Sequence, residues 1–226
     1  MAFKLYLAMT GAEILENGQI PQEFGILSSI DGVEKLPSWC PAGGMLILTD
    51  ETLVSENDVK KLERPLSDGQ FESVLLDFQR PGDPDAQAFS RAVTELAACP
   101  VCVSECYASE FDCPVLLPPV PPDVPVEEYL RPWNGREIWL EAALEGMVIT
   151  VTAEGAQAKN LLRGEPGEGE HFDEQLCCHY RMEVGENAVF TLHRTEEDLR
   201  RLLQIAEKSG VSRAVGLHQE LGKFMR

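Results

Sequence analysis

The sequence predicts an α/β fold: a single (β/α)8-type barrel, irregular in places, with a small antiparallel hairpin inserted before the last helix. Three observations carry this expectation. Short apolar runs recur along the chain and end in polar or acidic residues. Most of them lack the strict alternation of a half-exposed strand, as expected where both faces are covered. Helical segments fall between several of the runs, and strand–helix–strand alternation favours parallel strands under covering helices. At 226 residues the chain is of a size that barrels reach undivided, so residues 1–226 are expected to form one domain.

The runs follow in order. Phe3 to Met9 closes at Thr10-Gly11, and Met45 to Leu48 runs into Thr49-Asp50-Glu51. Ser73 to Leu76 reaches Asp77-Phe78-Gln79, Val101 to Ser104 reaches Glu105, and Val115 to Leu117 stops at Pro118. Ile138 to Leu140 reaches Glu141, Val148 to Thr152 leads to Glu154, and Ala214 to Leu217 closes the series. Ser55 is placed to cap a helix over 55–62, and residues 84–98 carry Phe89, Val93 and Leu96 at helical spacing. Thr195 can cap the best-defined helix, with acidic residues in its first turn, Leu199, Leu202, Leu203 and Ala206 as its apolar stripe, and Gly210 past its end. Two segments break the alternation. Residues 118–125 are proline-rich and must be extended, and 164–174 are rich in glycine and acid, as in a mobile loop. Gly185-Glu186-Asn187 between two apolar segments signals the hairpin.

Composition narrows the partners. A formal net charge of -19 repels nucleic-acid backbones and anionic membrane surfaces, and suits a soluble protein that meets neutral or cationic ligands. The N-terminus reads as a first strand and not a secretory signal, and no apolar run approaches the ~20 residues of a bilayer span. Seven cysteines, odd in number and without a regular framework, point to reduced thiols and a cytoplasmic location.

The stretch Phe71-Glu72-Ser73-Val74-Leu75-Leu76-Asp77-Phe78-Gln79 resembles the fourth barrel strand of the chitinase-like glycoside hydrolase family 18. That strand carries D-G-x-D-x-D-x-E, whose terminal glutamate is the general acid. The resemblance sets Glu72, Leu75, Asp77 and Gln79 at the four acidic positions, so one of the four is unchanged. The C-terminal run is similar too: a hairpin at 180–191, a helix at 196–207, then Gly210 and a last strand through Leu217. The resemblance implies the barrel fold and a glycan ligand. It also implies loss of family-type catalysis, because a glutamine side chain has no titrating proton to give the leaving oxygen. Its amide can still hydrogen-bond a sugar.

Candidate site residues follow from strand position. Leu75, Asp77 and Gln79 share one strand face, facing the barrel interior and mouth, and Val74, Leu76 and Phe78 share the other. Asp77 sits where barrel enzymes place catalytic groups; in its bland role it would cap the next loop or pair with Arg80. Glu105 and Glu141 end two further strands, and either could complete a carboxylate pair with Asp77 in an active hydrolase, the alternative to a binding-only barrel. Asp50 and Glu154 are further acids at strand ends. Gln79, Tyr6, Trp139 and His218 are the candidate ligand-binding residues, with Trp39 and Trp133 as loop aromatics. Cys99, Cys102, Cys106 and Cys113 invite a zinc reading, yet Cys102 and Cys106 lie in or beside an apolar strand, where cysteine packs as a small hydrophobe. Cys177-Cys178-His179 places neighbours on opposite strand faces. No metal and no cofactor is expected; the partner is a small polar ligand or glycan. A purely structural role stays open at this level.

Overall fold

The computed structural model describes residues 3–17, 20–34, 36, 42–67, 69–161 and 169–222. Trp39 and residues 164–168 of the acidic loop therefore lie outside the described residues. In chain order the strands begin with β1 (Lys4–Thr10), β2 (Phe24–Ser29), β3 (Gly44–Thr49) and β4 (Phe71–Asp77). They continue with β5 (Val101–Ser104), β6 (Val115–Leu117) and β7 (Ile138–Glu141). Then come β8 (Gly146–Thr152), β9 (Gly155–Leu161), β10 (His171–Asp173), β11 (Cys178–Val184), β12 (Ala188–His193) and β13 (Val211–Leu217). Helices α1 (Gly11–Asn17), α2 (Ile30–Val33), α3 (Glu63–Ser67), α4 (Pro84–Leu96), α5 (Val126–Leu130), α6 (Glu196–Lys208) and α7 (His218–Leu221) complete the set.

Eight strands close into a barrel in the order β1-β13-β7-β6-β5-β4-β3-β2, every pair parallel. The other five form an antiparallel sheet, β10-β11-β12-β8-β9. Contacts divide the chain into two compact units. The first comprises the chain up to Pro118, Arg136–Glu141 and Ser212–Gly222, and so holds the barrel; the second comprises Pro119–Gly135 and Ala142–Val211.

In the first unit, strand alternation sorts side chains as the sequence predicts. Val74, Leu76 and Phe78 of the β4 segment face outward and pack with Phe89 and Val93 of α4. The rings of Phe78 and Phe89 lie 5.8 Å apart. Asp83 caps α4, accepting hydrogen bonds from the backbone N–H groups of Asp85 and Ala86 at 3.0 and 3.3 Å. The segment after Ser55 is helical as expected, as a 3-10 helix over Glu56–Leu62, entered through a box in which Ser55 donates to Asp58.

The barrel interior is filled by Tyr6, Ala8, Met45, Ile47, Leu75, Cys102, Leu116, Trp139 and Val215. Gly25 on β2 belongs to this packing, because a Cβ there would stand 2.6 Å from Ile47 Cδ1. At the N-terminal ends of the strands the filling turns polar. A bulge between Gly44 and Met45 of β3 pairs Phe71 and then Ser73, passing over Glu72. Glu72 accepts a short hydrogen bond from the Tyr6 hydroxyl and another from Lys4 Nζ at 2.9 Å. The Arg213 guanidinium lies 4.6 Å from the Trp139 ring, and the indole N–H donates to Glu137 at 3.2 Å. Burial pushes Glu72 upward, but the Tyr6 and Lys4 hydrogen bonds outweigh it and hold the carboxyl below its ordinary range. Burial and the Glu72 bond push Tyr6 up to about 12.

In the second unit the hairpin of β11 and β12 forms as expected, in register Val184↔Ala188 to His179↔His193. It is one part of a larger sheet. The run at 148–152, read as another member of the parallel series, is instead the core of β8 and pairs antiparallel with β9 and β12. Glu154 thus lies in a hairpin turn and not at a barrel mouth. Thr195 caps α6 in a box with Asp198, and Gly210 follows with φ of 96°. Asp198, 1% exposed, also takes His179 Nδ1 at 2.8 Å. Arg194, 1% exposed, donates to the backbone carbonyls of Val120, Pro121, Leu176 and Cys177. This one guanidinium ties the proline-rich connection, which was expected to be extended but turns at Pro121–Val124, to the turn before β11.

Three outcomes are expected. Trp139→Ala removes the largest filler of the barrel and should cost roughly 3–5 kcal/mol in urea unfolding; a loss below about 1 kcal/mol would contradict the packing role. Arg194→Met strips two buried and two half-buried carbonyls of their donor and should cost about 3 kcal/mol by the same measurement. Because the folded pKa of Glu72 is lowered, its contribution is complete above the unfolded value of about 4.3 and is lost as pH falls through the folded value. The stability gap between wild type and Glu72→Gln should therefore shrink on acidification from neutrality, and a constant gap would contradict the network.

Candidate functional site

Parallel strands of one barrel deliver the residues that follow them to a common end. Here that end carries Thr10, Ser29, Thr49, Asp77, Ser104 and Glu141, the last residues of six strands. The most connected group lies at β4. Asp77 is partly buried, and Gln79, two residues on, is exposed. The Gln79 amide donates to Asp77 Oδ1 at 2.6 Å, and the Ser104 hydroxyl donates to the same oxygen at 3.2 Å.

A second carboxylate holds this corner from β3. Asp50 Oδ2 accepts the Gln79 backbone N–H at 3.0 Å and lies 3.4 Å from Arg80 Nε. Arg80 also donates to the Asp50 carbonyl, and the Tyr107 hydroxyl donates to the Arg80 carbonyl. Cys106 Sγ reaches the Phe78 carbonyl at 3.2 Å. The loop after β4 is therefore fixed from both neighbouring strands. Arg80 pairs with Asp50 and not with Asp77, while Asp77 takes the Gln79 amide of the loop that follows it. Its partners are neutral donors, and one lone-pair-rich oxygen edge is organised by Gln79 and Ser104.

The remaining candidates are distributed around the barrel. Glu105 opens a 3-10 turn directly after Ser104 on the adjacent strand and is exposed. Glu141 ends β7, three places from β4 in the strand order, and is exposed. His218 follows β13, four places from β4 and thus across the barrel mouth. Near it, Glu13 accepts the Thr10 backbone N–H and hydroxyl, each at 2.8 Å. Burial raises the Glu13 pKa, but the Thr10 and Gln219 hydrogen bonds and nearby His218 outweigh it and hold the carboxyl low.

Tyr6 and Trp139 are both 0% exposed. They pack inside the barrel, and Tyr6 bonds Glu72 near the strands' N-terminal ends. Neither presents an open ring face for a ligand; both are needed as filling. Burial likewise pushes the Cys102 thiol well up, as for a packed core cysteine. Among the described residues no group of three or more His, Cys, Asp or Glu side chains is placed to hold a metal ion. Ser104 and Thr10 escaped the sequence reading. Their only signal was to be the last polar residue of an apolar run.

No protein-family model matches the sequence, and no curated protein does either. Solved structures do match in three dimensions. The chitinase-like agglutinin of Robinia pseudoacacia is 11% identical, with 97% of this chain and 98% of that chain covered and a TM-score of 0.58. A mutant GH18 chitinase from Cycas revoluta in complex with (GlcNAc)4 is 11% identical, covers 98% and 97%, and has a TM-score of 0.53. The spore cortex-lytic enzyme SleL of Bacillus cereus is 12% identical, covers 94% of this chain and 70% of that chain, and has a TM-score of 0.53. At such identities the likeness is one of fold. With its closed parallel barrel and added antiparallel sheet, the chain has the chitinase-like fold of glycoside hydrolase family 18.

Proposed function

We propose that the barrel binds a glycan or a similar polar ligand at the C-terminal ends of its strands, and that it has lost the hydrolytic chemistry of the chitinases it resembles. The observation that carries this reading is Gln79. It stands at the position that the resemblance gives to the general acid, and its amide donates to Asp77. An amide in that place can orient and recognise, but it has no proton to deliver to a leaving oxygen. Leu75, where the resemblance sets another acid, is 1% exposed inside the barrel, so a carboxylate that could tune Asp77 is replaced by packing.

The exposed polar groups at this end, Gln79, Glu105 and Glu141, together with the ordered Asp77 and Ser104, suit hydroxyl and amide groups of a sugar. Two fold neighbours support the assignment. One is named an agglutinin, and another holds (GlcNAc)4 as a mutant in which a glutamate is exchanged for glutamine. The net charge of -19 disfavours nucleic acid and anionic membranes as partners. The free cysteines fit a reducing, cytoplasmic setting.

Calorimetry with N-acetylglucosamine oligomers and a parallel assay for their hydrolysis test the reading. The expected result is saturable binding without turnover, weakened about tenfold by Asp77→Ala through loss of one charged hydrogen-bond partner. Gln79→Glu should leave turnover absent, because Leu75 still occupies the second acidic position. Hydrolysis by the wild-type chain that is abolished by Asp77→Asn would overturn the loss of catalysis. Affinity unchanged in Asp77→Ala would remove this corner from the site.

A further inference from the structure

The antiparallel sheet has two unlike faces. Alternation along β11 puts Tyr180, Met182 and Val184 on one face, with Phe190 and Leu192 of β12 opposite them. Ile149 and Val151 of β8 continue the same face beside Phe190 and Ala188. The other face takes His179, Arg181 and Glu183. On the apolar face Met182 is 54% exposed and Val184 is 73% exposed. Contiguous apolar surface left open in this way marks a site of interaction more often than an accident of folding.

Part of this face is concave. A groove of about 350 Å³ is walled by Ile149, Val151, Phe190, Leu192, Leu176 and Tyr180, at the lower end of the size range of small-molecule sites. Its polar rim is of one sign. Asp123 and Asp173 border it, and among the described residues no lysine or arginine lines it. Asp173 is fixed, because its Oδ1 accepts the backbone N–H groups of Gln175 and Leu176 at 2.9 and 3.0 Å. Asp123 is exposed in the turn that the Val124 backbone N–H closes on the Pro121 carbonyl before α5.

We propose that this groove binds a small organic cation. Its aryl or branched alkyl body would lie against Ile149, Phe190 and Leu192, and its ammonium group would face Asp123 and Asp173. A carboxylate or sulfate amphiphile would meet two negative charges and no positive one. A fully polar ligand would leave the apolar walls without gain. The net charge of -19 also raises the local concentration of cations around the whole chain. The groove belongs wholly to the second unit, and the proposal does not rest on the barrel's function.

Three probes with one apolar body separate the contributions: phenylbutylammonium, phenylbutanol and phenylbutyrate, titrated calorimetrically into the full chain. Affinity should fall in that order, with the cation about tenfold above the anion at low salt, and the gap should narrow as salt rises. Asp123→Lys, a change at an exposed position, should erase the preference while leaving phenylbutanol unaffected. Phe190→Ser should weaken all three. Equal affinity for cation and anion, no binding of any probe at millimolar concentration, or a preference that survives Asp123→Lys would each overturn the proposal.

Discussion

An eight-stranded barrel closes only if its interior is filled by side chains from its own strands. That requirement governs this molecule more than any single hydrogen bond. Short strands such as β6 and β5 supply few inward positions, so bulk must come from elsewhere. Trp139 and Tyr6 supply it, and Gly25 makes way for Ile47. Two aromatic side chains suited to stacking on a sugar are thereby committed to packing. The polar groups of the barrel are left to the ring where the strands end.

That ring is ordered before any ligand arrives. Asp77 takes donors from Gln79 and Ser104, while Asp50 holds the Gln79 backbone and Arg80. Three adjacent strands thus share one corner. Prearranged groups lower the ordering cost of binding. The same arrangement is poor for acid catalysis, since the donor nearest Asp77 is an amide. Recognition and proton transfer make different demands on one position, and an amide at residue 79 has donor and acceptor atoms but no titrating proton.

The barrel was legible because buried parallel strands write themselves as uninterrupted apolar runs, and seven of the eight appear that way in the sequence. The exception, β2, is as long as β3 but contains Gly25 and ends in two serines, so its composition did not set it apart from a loop. The run at 148–152 misled for the complementary reason: an apolar run does not say whether its partner is parallel or antiparallel. Caps were legible where the chemistry is local, as at Thr195 with Asp198. At the site, Asp77 and Gln79 could be read from their place at the end of an apolar run. Ser104, Asp50 and Arg80 met them through partners 27 to 30 residues away, a separation that no local pattern encodes. The fate of Trp139 was equally hidden, because an aromatic on a barrel strand can serve core or ligand, and only closure decides between them.

The bulge between β3 and β4 separates the two ends of the barrel. Glu72 and Asp77 are five residues apart, so on an unbroken strand they would point to opposite sides of the wall. The extra residue lets Glu72 reach Tyr6 and Lys4 at one end while Ser73, Leu75 and Asp77 keep their inward phase toward the other. The two ends of β4 are in this sense out of step by design of the pairing, and each can drift in sequence without retuning the other. In a barrel built this way the mouth can change while the footing stays.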